Sequence, residues 1–510
     1  MQNFANRLYI PLKAQAERLL RWAFCLLLLL IIIPSGSVNF IPFHRIAAGL
    51  YIVAACAALL RRPSHLVKAP YILALSLALV LGGWVMIQSF AFYGNPLGNP
   101  IWAEAQKVYG AMPQSISVTP GDTMEGVVFA LLPFAIFITT LILFASDKQA
   151  LNLIRAIVVC GIGICILGLI QFSFSPTMLV FDVKRFYLES LTTVFVNRNT
   201  AATYIGMILI FAVGLAVHSL QNAGWRSFVE FLINGFSKTK RSDALAFIVF
   251  ASASAAAFVA LMLTQSRAGI ASSLIALTLM LAITVYSGRP SHSHGTRYGF
   301  SPRRDSFKAR VGRVGLAFGL TALLGFLFAG LAIFRASKQG TSDLRFCFFP
   351  RLVDIAKDNW LVGTGFGTFR DVYPAYRNPA CGMDGVLFLA HNFYLEGWIS
   401  LGIVFVAICV IVIAALFSFL LIGIRNRRQF RWVSSASLAV LVLQVLHNSV
   451  DFSIQNPGVA SVFAALTGSA VVIARGRQQG LVRRPAEHPQ PAGGEYIRPP
   501  EQEAGSVATY

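Results

Sequence analysis

Charge is scarce in this sequence. Only 12% of its 510 residues are Asp, Glu, Lys or Arg, against 56% hydrophobic residues and a mean hydropathy of +0.67. That leaves too little polar surface to cover a water-soluble globule. The alternation of apolar and polar residues in short segments that a membrane β-barrel requires is also missing. The apolar runs are instead long, continuous and rich in Leu, Ala and Ile. No internal repeat of the kind many transporters carry is visible. No Cys-x-x-Cys or spaced Cys/His cluster points to a metal, and no Asp-x-Asp supports a transferase that uses nucleotide sugars through a bridging metal. Acidic residues number 21 against 42 basic ones.

What is present reads as an all-α, polytopic membrane protein. Apolar runs centre on Leu28, Ala54, Leu79, Ile136, Gly163, Ile208, Ala255, Ala276, Leu323, Cys409, Leu441 and Ala465, which gives about twelve transmembrane helices. The largest polar interval, 335–396, falls between the ninth and the tenth. Basic residues in the connections alternate, 28 in one set against 13 in the other. The positive-inside rule then places both termini in the cytoplasm and the 335–396 loop in the periplasm of a bacterial inner membrane. The net charge of +21 is thereby explained by topology, and no nucleic-acid partner is expected. The expected organisation is a cytoplasmic N-terminus over 1–22, a transmembrane domain over 23–475 and a disordered cytoplasmic tail over 476–510. The first apolar run follows a basic start and competes with a signal peptide, but Pro34-Ser35-Gly36-Ser37 is a poor cleavage site.

The outward segments hold the residues with chemical potential. Arg198 lies between two asparagines just before a span, and Arg267 lies in the short turn Thr264-Gln265-Ser266-Arg267. Each either snorkels to lipid headgroups or offers a planar fork to phosphate oxygens. Their company, Arg345 and His391 on the same side, favours a diphosphate site. His391 is either an amphipathic interfacial residue or a proton acceptor, with Asn392 beside it and Glu396 a little over one turn on. His447-Asn448 and Asp451 place two ionisable groups near the outward end of another span. Asp451 is either functional or an arginine partner in helix packing. The glycines Gly363, Gly365 and Gly367 read as a tight turn, since no Lys-Ser/Thr follows them. Cys347 and Cys381 share the outward loop and either pair there or stay reduced. The other five cysteines lie in apolar runs and read as small hydrophobes.

Several of these motifs, in this order, resemble the O-antigen ligase and polysaccharide polymerase family: Phe195-Val196-Asn197-Arg198-Asn199, Ser266-Arg267-Ala268-Gly269, Asp343-Leu344-Arg345 leading to Val362-Gly363-Thr364-Gly365, and His391-Asn392 followed by Gly402. The resemblance covers roughly 194–473, and Thr200, Ala268 and Phe405 depart from the common pattern. It implies a metal-independent, inverting glycosyltransferase without cofactors, acting at the periplasmic face. The donor would be an undecaprenyl-diphosphate-linked glycan, and the acceptor hydroxyl would belong to lipid A–core or to a growing glycan. Arg198, Arg267 and Arg345 would hold the diphosphate and His391 would be the base. Asn197, Asn392, Glu396 and Asp451 would support them, while Tyr373 and Tyr376 would stack on sugar. A transporter or flippase of lipid-linked sugars is the alternative; it should carry charges near mid-membrane. A scaffold protein would tolerate loss of any single Arg or His.

Overall fold

The computed structural model describes residues 2–37, 40–179, 183–224, 229, 241–287, 345–381 and 385–476. The chain runs through α1 (Gln2–Leu30), α2 (Phe40–Leu60), α3 (Lys68–Ser89), a short α4 (Ile101–Tyr109), α5 (Pro120–Leu143), α6 (Asp147–Phe174), α7 (Arg198–Ala223), α8 (Arg241–Leu263) and α9 (Arg267–Ser287). It continues through α10 (Arg345–Asp358), α11 (Phe369–Tyr376), α12 (Phe393–Leu401), α13 (Ile403–Asn426), α14 (Arg431–His447) and α15 (Pro457–Arg475). Among the described residues there is no strand, only the isolated bridges Phe92 with Gln114 and Met178 with Val183.

Nine of the described helices are long and apolar enough to cross a membrane: α2, α3, α5 to α9, α13 and α15. This is a multi-pass membrane architecture. The other three expected spans have separate outcomes. The run around Leu28 closes α1, a 29-residue helix whose earlier turns carry Arg7, Lys13, Arg18 and Arg21. The run around Leu441 forms α14, apolar but only 17 residues long. Leu323 lies outside the described residues, as does the tail beyond 476.

Local sequence sets where these helices begin. Asn197 caps α7 by accepting the Asn199 N–H at 2.7 Å, and Ser146 caps α6 through Gln149. Asn456 caps α15 through Gly458 and Val459, with Pro457 at the first helical position, where its missing N–H costs nothing. Burial then sorts the helices: α7 and α15 are almost wholly enclosed, whereas few residues of α8 and α13 are buried. Val410, Ile411 and Phe417 on α13 face outward, as lipid-facing apolar residues do.

Contacts among the connections gather them into two groups, as alternating spans require. In one group, Gly36 lies against Asn456, Ser117 N–H donates to Gln88 O, Val118 N–H to Thr364 O, Leu191 N–H to Leu263 O and Phe393 N–H to Asn448 O. In the other, Arg61 pairs with Glu17 at 3.2 Å, Arg21 donates to Leu143 O, Arg475 donates to Leu66 O, and Arg427 pairs with Asp147. The second group collects arginines, in line with the charge asymmetry of the sequence.

Where it is described, the 335–396 interval is more structured than a polar loop. Over 345–381 it folds into α10 and α11, which pack Phe348, Leu352, Ile355, Phe369 and Val372 into a core separate from the main bundle. A disulfide between Cys347 and Cys381 closes this unit. The three glycines in 363–367 all have positive φ, and their setting accounts for them. The turn 361–365 lies directly on the end of α12: Thr364 N–H donates to Ile399 O at 2.9 Å, Gly365 N–H to Ser400 O at 3.0 Å, and Ile403 N–H to Leu361 O at 3.2 Å. A Cβ on Gly363 would collide with the Ser400 carbonyl, and one on Gly402 with the Leu361 carbonyl. Gln88 from α3 completes the seat by donating to Val362 O and Ser400 O. This glycine-rich turn therefore docks backbone on backbone and fixes α12, whose N-terminus carries His391 and Asn392.

Candidate active site

His391 occupies the left-handed region at φ +52°, where side chains other than glycine are uncommon. The next residue, Asn392, caps α12 by accepting the Tyr394 and Leu395 N–H groups at 3.0 Å, and its amide donates to Ser449 O at 2.7 Å. Phe393 N–H is shared between Asn448 O and Asp451 O. The His391 ring is flanked edge-on by Phe452 at 4.9 Å, with Phe348 of α10 at 6.4 Å.

Asp451 is 1% exposed and accepts from the Asn199 amide at 3.0 Å and from the Ser453 hydroxyl. Among the described residues it forms no ion pair, so the expected alternative of an arginine partner gives way to an amide and a hydroxyl. Asn199 in turn accepts from Ser266 Oγ at 2.8 Å. One part-buried relay, Ser266 to Asn199 to Asp451, thus connects the residue before Arg267, the residue after Arg198 and the turn that receives the backbone of Phe393. A second link runs beside it: Arg198 donates to Ser190 Oγ at 3.4 Å, Ser190 donates to Gln265 Oε1 at 3.1 Å, and Gln265 donates to Glu189 O. Lys184, pushed down by burial, donates to Ser190 O. The structure therefore ties the starts of α7 and α9, with their arginines, to the histidine turn.

The individual placements differ. Arg198 is half-buried, with its guanidinium 5.1 Å over the Tyr187 ring. Arg267 is exposed at the first position of α9. Arg345 opens α10, and its side chain lies outside the described residues. Tyr373 is 3% exposed and stacks on Phe369 at 5.6 Å, with burial raising its phenol pKa. A ring so enclosed packs a core and is not open to a sugar. Tyr376 donates to Asp358 at 2.9 Å.

A cavity of about 1150 Å³ opens beside this cluster. Its walls are mostly apolar, with Leu77, Phe134, Leu416 and Phe463 from four helices among them, and its polar lining includes Asn197, His391, Glu396, Gln444 and Asn448. Glu396 is 6% exposed. Burial lifts its carboxyl from 4.5 to about 7, partly offset by hydrogen bonds from the Ala390 N–H and the Gln455 side chain. Tyr187, under the Arg198 guanidinium, also lines the cavity. Arg198 and Arg267 are not among the lining residues, and Arg370 is the cation that is. An apolar chamber of this size with a few polar groups suits an amphiphile.

Sequence reasoning missed three groups. Asn199 and Ser266 were visible only as neighbours of the arginines, and Thr203, which bonds His447 Nδ1, was not visible at all. Asp122, Glu125 and Arg370 also line the cavity, with Arg370 paired to Asp122 at 3.4 Å. The available signal was a short polar side chain directly beside each interfacial arginine, at the start of a helix.

Comparison with known proteins gives one family result: residues 252–410 match the family model described as O-antigen ligase. The match begins within α8 and ends within α13, and it includes Ser266, Arg267, Arg345, His391 and Glu396. No curated protein matches the chain.

Proposed function

Taking the O-antigen ligase match over 252–410 as premise, we propose that this protein transfers a glycan from an undecaprenyl-diphosphate-linked donor to an acceptor hydroxyl. The reaction takes place at the periplasmic face of a bacterial inner membrane, with lipid A–core or a growing glycan as acceptor. The observation that carries this reading is the Ser266–Asn199–Asp451 relay, which joins both arginine-bearing helix starts to the His391 turn beside the cavity.

The lipid-diphosphate is already an activated leaving group, so the protein must orient it, hold its charge and remove a proton. Arg198 and Arg267, with Arg345 as a third cation, hold the diphosphate oxygens, for which the guanidinium fork is suited. The apolar walls of the cavity take the polyprenyl chain. His391 accepts the proton of the incoming hydroxyl as its oxygen attacks the anomeric carbon. The bond from that carbon to the diphosphate oxygen breaks on the opposite side, inverting the centre and leaving undecaprenyl diphosphate. No step requires a metal, because the arginines carry the charge compensation.

Complementation tests this. Arg267→Ala and His391→Ala, each confirmed to insert in the membrane, should abolish the surface polysaccharide. Accumulated lipid-linked polymer beside unmodified lipid A–core would identify a ligase, and single repeat units a polymerase. Normal polysaccharide with both variants would contradict the proposal.

A further inference from the structure

The conformation of His391 needs an explanation. A histidine at φ +52° keeps that geometry only if its surroundings impose it. On its C-terminal side the backbone is fixed by the Asn392 cap, the Asn392 bond to Ser449 O and the Phe393 N–H bonds to Asn448 O and Asp451 O. On its N-terminal side lies Ala390, wholly buried, whose N–H donates to Glu396 Oε2 at 2.6 Å. Side chains on a helix lean toward its N-terminus, so a glutamate in the first turn of α12 reaches back past the cap to the residue before His391. The Gln455 side chain bonds the same carboxyl group from the stretch between α14 and α15.

We propose that Glu396 is a positioning residue for His391: its carboxyl oxygen, accepting from Ala390 N–H, sets the left-handed turn that presents the imidazole to the cavity. This deepens the reading of His391 as the base and rests on it. The role depends on reach and on an acceptor oxygen, not on charge or proton transfer. Burial already favours the neutral carboxyl. A carboxamide has the same shape and keeps the accepting oxygen, whereas an aspartate keeps the acid but is one methylene too short.

That asymmetry supplies the test. Full-length protein in liposomes, loaded with a polyprenyl-diphosphate-linked glycan, is assayed for donor binding and single-turnover transfer as wild type, E396Q, E396D, H391A and H391A/E396D. E396Q should transfer within about threefold of wild type, while E396D should lose roughly tenfold to hundredfold in turnover, the usual cost of a misplaced group, with donor affinity unchanged. The double variant should be no slower than H391A, because a residue that acts only through His391 has nothing left to position. Activity retained by E396D and lost by E396Q would overturn the proposal in favour of a charge or proton role. A double variant slower than H391A by the full E396D factor would overturn it in favour of an independent role. Unimpaired turnover by H391A would instead remove the base reading itself, whereas loss in H391A with normal transfer by E396D removes only the positioning role of Glu396.

Discussion

Glu396 also leaves a signature in stability. Burial lifts its carboxyl from 4.5 to about 7, so between those values the folded protein holds a proton that the unfolded chain has released. The contribution of this group is therefore fully present below 4.5 and is lost as pH rises through about 7. Glu396→Gln removes the titration. The Tm of wild type relative to E396Q should fall between about pH 4.5 and pH 7 and level off above it, and a constant difference would mean the carboxyl is not held neutral by burial. Arg267 makes a different prediction. Exposed at the head of α9, it either anchors to headgroups or grips phosphate. Arg267→Lys keeps the charge and loses the fork, so transfer should drop markedly; wild-type transfer would return the residue to the lipid. At this scale, residues whose chemistry stands out in an apolar context, His391 and the two arginines, were legible in the sequence. Asn199 and Ser266 were not, because an amide and a hydroxyl acquire a role only when the fold brings them within hydrogen-bonding distance of each other. Tyr373 was misread for a related reason: an aromatic in a polar interval looks available until its burial is known.

Among the elements, α12 is the one on which the site depends, and glycines seat it. Gly402 has φ +63° and ψ −149°, a region almost exclusive to glycine, and its missing Cβ makes room for the Leu361 carbonyl. Gly402→Ala should destabilise the protein by at least about 1–3 kcal/mol and lower its thermal midpoint. An unchanged midpoint would show that 361–365 is not docked there. The turn was legible from its glycines but its partner was not, since the two are far apart along the chain. The disulfide of the α10–α11 unit was one of two open alternatives in the sequence, because two cysteines in one segment fix no geometry. Denatured, unreduced protein should yield five reactive thiols, those of Cys25, Cys56, Cys160, Cys165 and Cys409, and two more only after reduction. With a separation of 34 residues, the bridge should contribute about 3–4 kcal/mol in the chain-entropy model.

For the whole molecule, the helical membrane class followed from composition alone, and alternation of the connections between two groups followed from the order of apolar runs. Span counting matched less closely. A 17-residue helix such as α14, and a helix such as α1 with charges along its earlier turns, blur the line between crossing and packing, because an enclosed helix need not match the bilayer thickness by itself. Orientation rests on the basic asymmetry, and a reporter active only outside the cytoplasm should work when fused near Gln339 and stay silent near Ser291. The central claim, that a histidine turn held against two arginine-bearing helix starts performs glycosyl transfer, is tested most directly by single-turnover transfer and donor binding with His391→Ala at matched membrane levels. The account predicts near-normal donor binding and a loss of roughly 10²–10⁴-fold in turnover. Turnover equal to wild type would contradict it.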